Sequence, residues 1–374
     1  MRRQSHGGEV FAASRMLSMP PDAILDMSAS LNPLGMPQSV GRAIRAALPH
    51  AVHYPERDAH ALSEVLSASL GIPRGRMLCG NGSTELIYLA VRALQPARIL
   101  IPSPTFSEYE KAVAAAQTTA PVARECTIDD FPLKEQNGFR LNASEFIAAM
   151  EKMTSRSVDG DQRSASSVAF LCNPNNPTGT VTPRKEMLHI ARAAEKNRCY
   201  LVVDEAFIDF CPEHAIIVKT LDNPYVIVLR SMTKFYALAG LRLGFGIFPT
   251  PVRKKIGDIR EPWSVNSLAQ AAGLAALADN AYQMRTYRLI AEEKRFLEDH
   301  FRAMDIGFVP SCANFYLLKM RNAKAVMDSL FHKGILVRNC RDFRGLSANH
   351  MRIAVRSRRE NMRFIKELAR CMES

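Results

Sequence analysis

Ser231-Met232-Thr233-Lys234-Phe235-Tyr236-Ala237-Leu238-Ala239-Gly240-Leu241-Arg242-Leu243-Gly244 follows a short apolar run, Val226 to Leu229, that reads as a buried strand. Lys234 therefore sits in a turn of small and hydroxylated residues between apolar segments. An ammonium there loses hydration, its pKa falls, and the neutral amine becomes a nucleophile. Ser231, three residues before it, and Arg242, eight after it, can supply a hydroxyl and a guanidinium fork to one phosphate. An aldehyde that carries a phosphate meets both demands, and pyridoxal phosphate is that cofactor. Taken singly, Lys234 reads as a surface lysine and Arg242 as the partner of an acidic side chain, so the other stretches decide.

Upstream, Tyr200 to Val203 is a strand that ends in Asp204-Glu205-Ala206-Phe207-Ile208-Asp209. A carboxylate at the mouth of a buried strand can pair with a pyridinium nitrogen and keep it protonated, or it can cap the following segment. Val168 to Cys172, another strand, delivers Asn173-Pro174-Asn175-Asn176-Pro177-Thr178-Gly179. Its prolines and glycine fix the backbone, so Asn176 is held at a strand's C-terminal end, where open α/β sheets bind ligands. Its amide can donate to a phenolate oxygen.

Gly80-Asn81-Gly82-Ser83-Thr84-Glu85 is a glycine-bearing turn entering the helical pattern Leu86 to Leu94. It reads either as an anion cup of free backbone N–H groups or as an N-cap box closed by Ser83 or Thr84. The strand Arg98 to Ile101 leads to Pro104-Thr105-Phe106-Ser107-Glu108-Tyr109, whose aromatic can cover a flat ring or belong to the core. Met153 to Ser167, rich in Ser, Asp and Arg, reads as an exposed loop. Helical patterns follow from Pro262 to about Ala278 and from Tyr282 to Met304, and then strands and helices alternate to the C-terminus.

At 374 residues and 47% hydrophobic composition the chain is long enough for one large domain plus a smaller one, which excludes disordered and fibrous classes. No apolar run reaches membrane-helix length, and Met1 to Gly8 lacks a signal core, so a cytoplasmic protein without a membrane segment is expected. Eight scattered cysteines with no C-x-x-C pair suggest reduced thiols and no metal site. The net charge of +12 is spread along the chain without a recognition helix, zinc finger or basic tail, so phosphorylated small molecules, not nucleic acid, are the expected anions.

Asn176-Pro177-Thr178-Gly179, Asp204-Glu205-Ala206 and Ser231-x-x-Lys234 with Arg242, in that order, resemble the fold-type I pyridoxal-phosphate enzymes of the aspartate aminotransferase superfamily. The resemblance covers nearly the whole chain and is nearest to the histidinol-phosphate aminotransferase branch. Within it, His6-Gly7-Gly8, Ser28-Ala29-x-x-Asn32-Pro33-Leu34-Gly35, Asp204 to Phe210 and Pro262-Trp263-Ser264-Val265-Asn266 look like the threonine-phosphate decarboxylases of cobalamin biosynthesis. The implied fold is α/β: a mixed, mostly parallel sheet flanked by helices, with a smaller α+β domain and an N-terminal arm. Implied boundaries are 1–40 for the arm and part of the small domain, 41–260 for the cofactor-binding domain and 261–374 for the small domain.

The resemblance further implies residue roles. Lys234 takes the cofactor aldehyde, Asp204 holds the ring nitrogen, Asn176 the phenolate oxygen, and Phe106 stacks on the ring beside Phe207. Ser83, Thr84, Ser231, Thr233 and Arg242 hold the phosphate, and Tyr54 reaches the cofactor phosphate of the other subunit in a homodimer. Arg338 and Arg352, with His6, Ser30 and Asn32 of the arm, bind the substrate. Ser30 stands where these decarboxylases carry asparagine, and Phe207 where many aminotransferases carry tyrosine. The implied reaction takes L-threonine O-phosphate to (R)-1-amino-2-propanol O-phosphate and carbon dioxide; the alternatives are L-serine O-phosphate as preferred substrate, or histidinol-phosphate transamination.

Overall fold

The computed structural model describes residues 7–119, 126–155 and 166–373. A two-residue strand, β1 (Leu25–Asp26), precedes seven that form the principal sheet: β2 (Met77–Asn81), β3 (Arg98–Ser103), β4 (Thr127–Pro132), β5 (Ser167–Cys172), β6 (Cys199–Asp204), β7 (Val226–Ser231) and β8 (Leu243–Ile247). Strands β5, β6 and β7 are buried along almost their whole length. That is the signature of a sheet covered by helices on both faces. Alternation divides their side chains between two layers: Ala169, Leu171, Leu201, Val203 and Val228 pack into one core, while Val168, Phe170, Val202, Ile227 and Leu229 pack into the other.

The order is β2-β8-β7-β6-β5-β3-β4, and every pairing is parallel except those of β8 with β2 and β7. Cys172 lies opposite Asp204, and Ser231 opposite Gly244. The loops carrying Asn176, Asp204 and Lys234 therefore leave the sheet at one edge, as expected for a ligand site in an open α/β sheet.

The strands expected near 98, 168, 200 and 226 are present. Three, β2, β4 and β8, were not read from the sequence. β8 carries Gly244 and Gly246, which depress strand propensity. Gly244 is required nonetheless, because a Cβ there would lie 2.4 Å from the backbone nitrogen of Ser83. β2 extends through Gly80 and Asn81, which had read as part of a turn. The expected loop from Met153 to Ser167 is corrected at both ends: the Ala143–Ser155 helix runs through Met153, and Ser167 opens β5. The middle of that loop, 156–165, lies outside the described residues.

A second, antiparallel sheet has the order β12-β13-β10-β9, built from β9 (Gly307–Phe308), β10 (Phe315–Lys319), β12 (Arg338–Asn339) and β13 (His350–Ala354). Helices Asn280–Ala303, Ala323–His332 and Arg358–Glu373 back it through Ile290, Leu297, Phe301, Leu330, Phe364 and Leu368. The arm joins this unit: β1 pairs in parallel with β11 (Ile335–Leu336). The Ser267–Leu277 helix, expected beyond a boundary at 260, packs through Ala269, Ala272 and Ala276 on the core of the principal sheet. Passage from one core to the other runs along Asn280–Ala303, whose Tyr282 belongs to the first and Leu297 to the second.

Candidate active site

Lys234 lies in the short helix Met232–Phe235 directly after β7, with Ser231 as its cap. Burial, with the Arg242 and Arg352 charges behind it, lowers its ammonium to about 8. Its carbonyl accepts from the Asn32 amide at 3.0 Å, which ties the arm to the lysine loop. Lys234, Asp204, Ser83, Thr84, Phe106, Asn176, Phe207, Ser231, Thr233, Arg242, Ser30, Arg338 and Arg352 all line one cavity of about 720 Å³.

The helix Gly82–Leu94 begins at this cavity, and Asn81 before it makes no side-chain capping bond. Ser83 and Thr84 stand in the first turn and neither is the N-cap; the Asn81 amide donates to Glu85 Oε2 at 2.6 Å, and first-turn N–H groups, which have no intrahelical acceptor, suit an anion. Gly82 has φ +75°, and a Cβ on it would lie 2.6 Å from Arg242 Nη2. The missing side chain lets the guanidinium reach the helix terminus. Ser231 Oγ and Thr233 Oγ1, 2.7 Å apart, complete a cluster of donors suited to a phosphate.

Asp204 is 2% exposed. Its Oδ2 accepts from Tyr109 Oη at 3.0 Å and its Oδ1 from the Ala206 amide at 3.0 Å. Burial raises its carboxyl to about 6, against both hydrogen bonds. Such a group is poised for a cationic partner. Tyr109 is the functional residue that sequence reasoning missed; it stacks on Phe170 at 4.7 Å and is fully buried. Helical spacing after Phe106 was the available signal, but the pairing with β6 needs the fold. Below it, Arg230 bridges Glu205 (2.7 Å) and Asp209 (2.8 Å), stiffening the Asp204 turn.

Arg352 Nη1 donates to Asn176 Oδ1, and Nη2 to the Ser28 carbonyl at 3.0 Å. The carbonyl end of Asn176 is thus occupied and its NH2 end remains the donor. Arg352 is buried, which lowers its guanidinium to about 10, and its Nε has no hydrogen-bond partner among the described residues. Arg338 is held by Asp342 at 2.7 Å and lies over the Phe343 ring. The arm covers the cavity: Asp26 Oδ1 accepts from the Ser28 amide, the Ser28 hydroxyl and the Ala29 amide, and Gly8 N donates to Ser28 Oγ at 2.8 Å. Gly7 lies so close to the Ser28 carbonyl that no side chain fits, a Cβ coming within 2.2 Å. The Ser30 hydroxyl, buried on the cavity wall, has no partner among the described residues.

One expectation is corrected, one concerns the partner subunit's cavity, and one lies outside the described residues. Asn32 does not line the cavity; its Nδ2 donates to the Phe235 carbonyl and to Thr286 Oγ1, both at 2.7 Å, so its amide positions the arm instead of meeting a ligand. Tyr54 is also absent from its own chain's cavity, standing 79% exposed and stacked on Trp263 at 4.6 Å. His6 lies outside the described residues.

The model of the family described as aminotransferase class I and II matches residues 22–368. The chain belongs to the class I and II aminotransferases. A threonine-phosphate decarboxylase from Salmonella typhimurium is 36% identical over 97% of this chain and 95% of its own length. A histidinol-phosphate aminotransferase from Symbiobacterium thermophilum is 34% identical over 92% and 90%. In fold, this member of the family is similar to the crystal structure of histidinol-phosphate aminotransferase from Sinorhizobium meliloti in complex with pyridoxal-5'-phosphate, with a TM-score of 0.84, 23% identity, and 97% and 94% of the two chains covered. The residues present fit that cofactor: an amine of lowered pKa, a buried carboxylate whose hydrogen-bond donors are neutral, and a glycine-cradled cluster of donors suited to a phosphate share one cavity.

Proposed function

We propose that this chain is a pyridoxal-phosphate-dependent carboxy-lyase that converts L-threonine O-phosphate to (R)-1-amino-2-propanol O-phosphate and carbon dioxide, a step of cobalamin biosynthesis. The observation that carries the reading is the arm: Gly7 and Gly8 close on Ser28 over the cavity that holds Lys234, in a chain 36% identical across 97% of its length to a threonine-phosphate decarboxylase.

In this reading Lys234 would hold the cofactor aldehyde, Asp204 its ring nitrogen, Asn176 its ring oxygen, and Phe106 and Phe207 its faces. Ser83, Thr84, Ser231, Thr233 and Arg242 would hold its phosphate. When bound, the cofactor supplies an electron sink for charge developing at the substrate's Cα. The protein's part is to choose which bond breaks, and it does so by the pose it imposes. Arg352, with its free Nε, suits a carboxylate. Arg338 and the unpaired Ser30 hydroxyl suit a phosphate oxygen. A buried hydroxyl without a partner costs about 1–3 kcal/mol, which a ligand oxygen would relieve. The Lys234 amine, whose ammonium burial lowers to about 8, would be placed to carry a proton to Cα.

We further propose a homodimer in which Tyr54 crosses to the partner's cavity, a cytoplasmic location, and a working division into a large unit around the principal sheet and a small one around the antiparallel sheet. Tyr54 and Trp263 are supports for the first, both exposed in the single chain. Among the described residues no helix is long and apolar enough to cross a membrane.

The deciding experiment supplies L-threonine O-phosphate without any keto acid and follows carbon dioxide. Release supports the decarboxylase. Faster release from L-serine O-phosphate would trace to Ser30. No release, with glutamate formed from histidinol phosphate and 2-oxoglutarate, would give the chain the transaminase function to which its 34% identical relative points.

A further inference from the structure

The chain leaves β1 through an Asx turn. Asp26 Oδ1 accepts from the Ser28 amide at 2.8 Å, from the Ser28 hydroxyl at 2.6 Å and from the Ala29 amide at 3.2 Å. The hydroxyl has one proton to give, and the carboxylate, which only accepts, takes it. Ser28 Oγ therefore meets the N-terminal arm as an acceptor, and the Gly8 amide donates to it at 2.8 Å. Ser28 is buried, so the pairing is made away from bulk water.

The Ser28 carbonyl is used from two sides. Arg352 Nη2 donates to it at 3.0 Å, and Gly7 of the arm packs on it so closely that a Cβ would come within 2.2 Å. From Arg352 the contacts run on to Asn176, whose Oδ1 accepts from Nη1. A guanidinium has no acceptor, so this bond also decides how the Asn176 amide is turned: its oxygen faces Arg352, and its NH2 group is left as the donor in the cavity that Asn176 lines. The backbone on either side of Ser28 is held. Met27 donates to the Leu336 carbonyl at 2.9 Å and accepts from the Ala354 amide at 2.7 Å, which ties it to β11 and β13. Asn32 is bound to the Lys234 and Phe235 carbonyls. Between these anchors, what is left to vary is whether the arm lies on Ser28.

We propose that Ser28 is a positioning residue through which docking of the N-terminal arm fixes Arg352 and, behind it, the Asn176 amide. This deepens the pyridoxal-phosphate reading and rests on it for one thing only, that the Asn176 amide meets the cofactor's ring oxygen. With Gly7 and Gly8 in place, the Ser28 carbonyl is covered on the arm side and Arg352 is its donor. With the arm lifted, water reaches that carbonyl and competes for it. The guanidinium then loosens, and the Asn176 amide is no longer held in one orientation. A ligand that draws the arm down thus also sets the donor at the ring, so the site is complete only when it is covered.

The test uses the full chain as wild type, Ser28→Ala, Gly7→Ala and the double variant. Gly7→Ala lifts the arm without altering Ser28, Arg352 or Asn176, and because Gly7 lies outside both cores it keeps the test open if Ser28→Ala fails to fold. Hydrogen exchange without cofactor is read on the peptide carrying Gly8 and on the peptide carrying residues 173–180. Both should exchange severalfold faster in each variant, Gly7→Ala included. With pyridoxal phosphate bound and no substrate present, the visible band should titrate at a pH higher by about half a unit in both single variants, because a lost donor disfavours the anionic ring oxygen. The double variant should go no further than either single one, as two breaks in one chain of contacts do. A Gly7→Ala protein whose arm exchanges faster while 173–180 and the band midpoint keep their wild-type values overturns the proposal and leaves Ser28 a structural turn. So does a Gly7→Ala arm that exchanges at the wild-type rate, and so do shifts that add in the double variant. A wild type that takes up no pyridoxal phosphate refutes the cofactor reading alone, because exchange of 173–180 in the cofactor-free chain still decides the relay.

Discussion

Asp204 shows how much of a site's chemistry resides in one side chain's surroundings. Its folded-state carboxyl stands at about 6, above the 3.8 of the free group, because burial outweighs two hydrogen bonds. The folded protein without cofactor therefore binds this proton more tightly than the unfolded chain does. Its stabilising contribution is complete below about pH 4 and is lost as pH rises through 6, a swing of about 3 kcal/mol. Asp204→Asn should remove that slope, so the urea midpoints of the cofactor-free wild type and variant should differ more at pH 7 than at pH 4.5. An identical pH dependence would sink the assignment. Tyr109 is the neutral donor that shares this carboxylate. Tyr109→Phe should weaken pyridoxal phosphate binding about tenfold, the equivalent of one hydrogen bond to a charged group, as read by fluorescence titration.

At the scale of elements, the site is made where a helix terminus, a strand and a loop meet without side chains between them. Gly82 and Gly244 serve that meeting, the first against Arg242 and the second against the Ser83 amide. Gly82→Ala places a Cβ at φ +75° and 2.6 Å from Arg242 Nη2, so it should cost about 1–3 kcal/mol in stability and push the guanidinium off the cup. Affinity for pyridoxal phosphate should fall at least tenfold while affinity for pyridoxal, which lacks the phosphate, hardly changes. Equal losses for both would assign the glycine to folding alone. Gly244, with Gly246, explains why β8 escaped the sequence reading: a glycine there looks like a strand breaker until the helix it admits is known.

Across the whole molecule, two cores share the long helix Asn280–Ala303, and the cavity lies between the sheets they support. Outside both cores Leu48, Val52 and Tyr54 remain more than half exposed, with Trp263 at 42% and stacked on Tyr54. An apolar face of this kind is what a second copy would cover. Trp263→Glu should shift sedimentation toward the monomer at micromolar concentration and, if Tyr54 completes the partner's site, lower activity in step with dimer loss. A dimer unaffected by Trp263→Glu together with one unaffected by Tyr54→Ser would remove that face from the interface.

Residue chemistry and the positions of β3, β5, β6 and β7 were determined by the sequence alone. Lys234, Asp204, Asn176 and Arg242 stand at the ends of apolar runs long enough to be buried strands, and burial at a strand's mouth follows from local pattern. The family resemblance rested on the same residues. Tertiary structure decided whatever depends on groups distant in the chain. It turned Asn32 away from the cavity toward Phe235 and Thr286, and placed Tyr54 on the outer surface. It supplied Tyr109 to Asp204. Periodicity reports which face of one element is apolar; it carries no information about which element lies opposite. Those contacts are set by sheet order and by the close approaches that glycine permits.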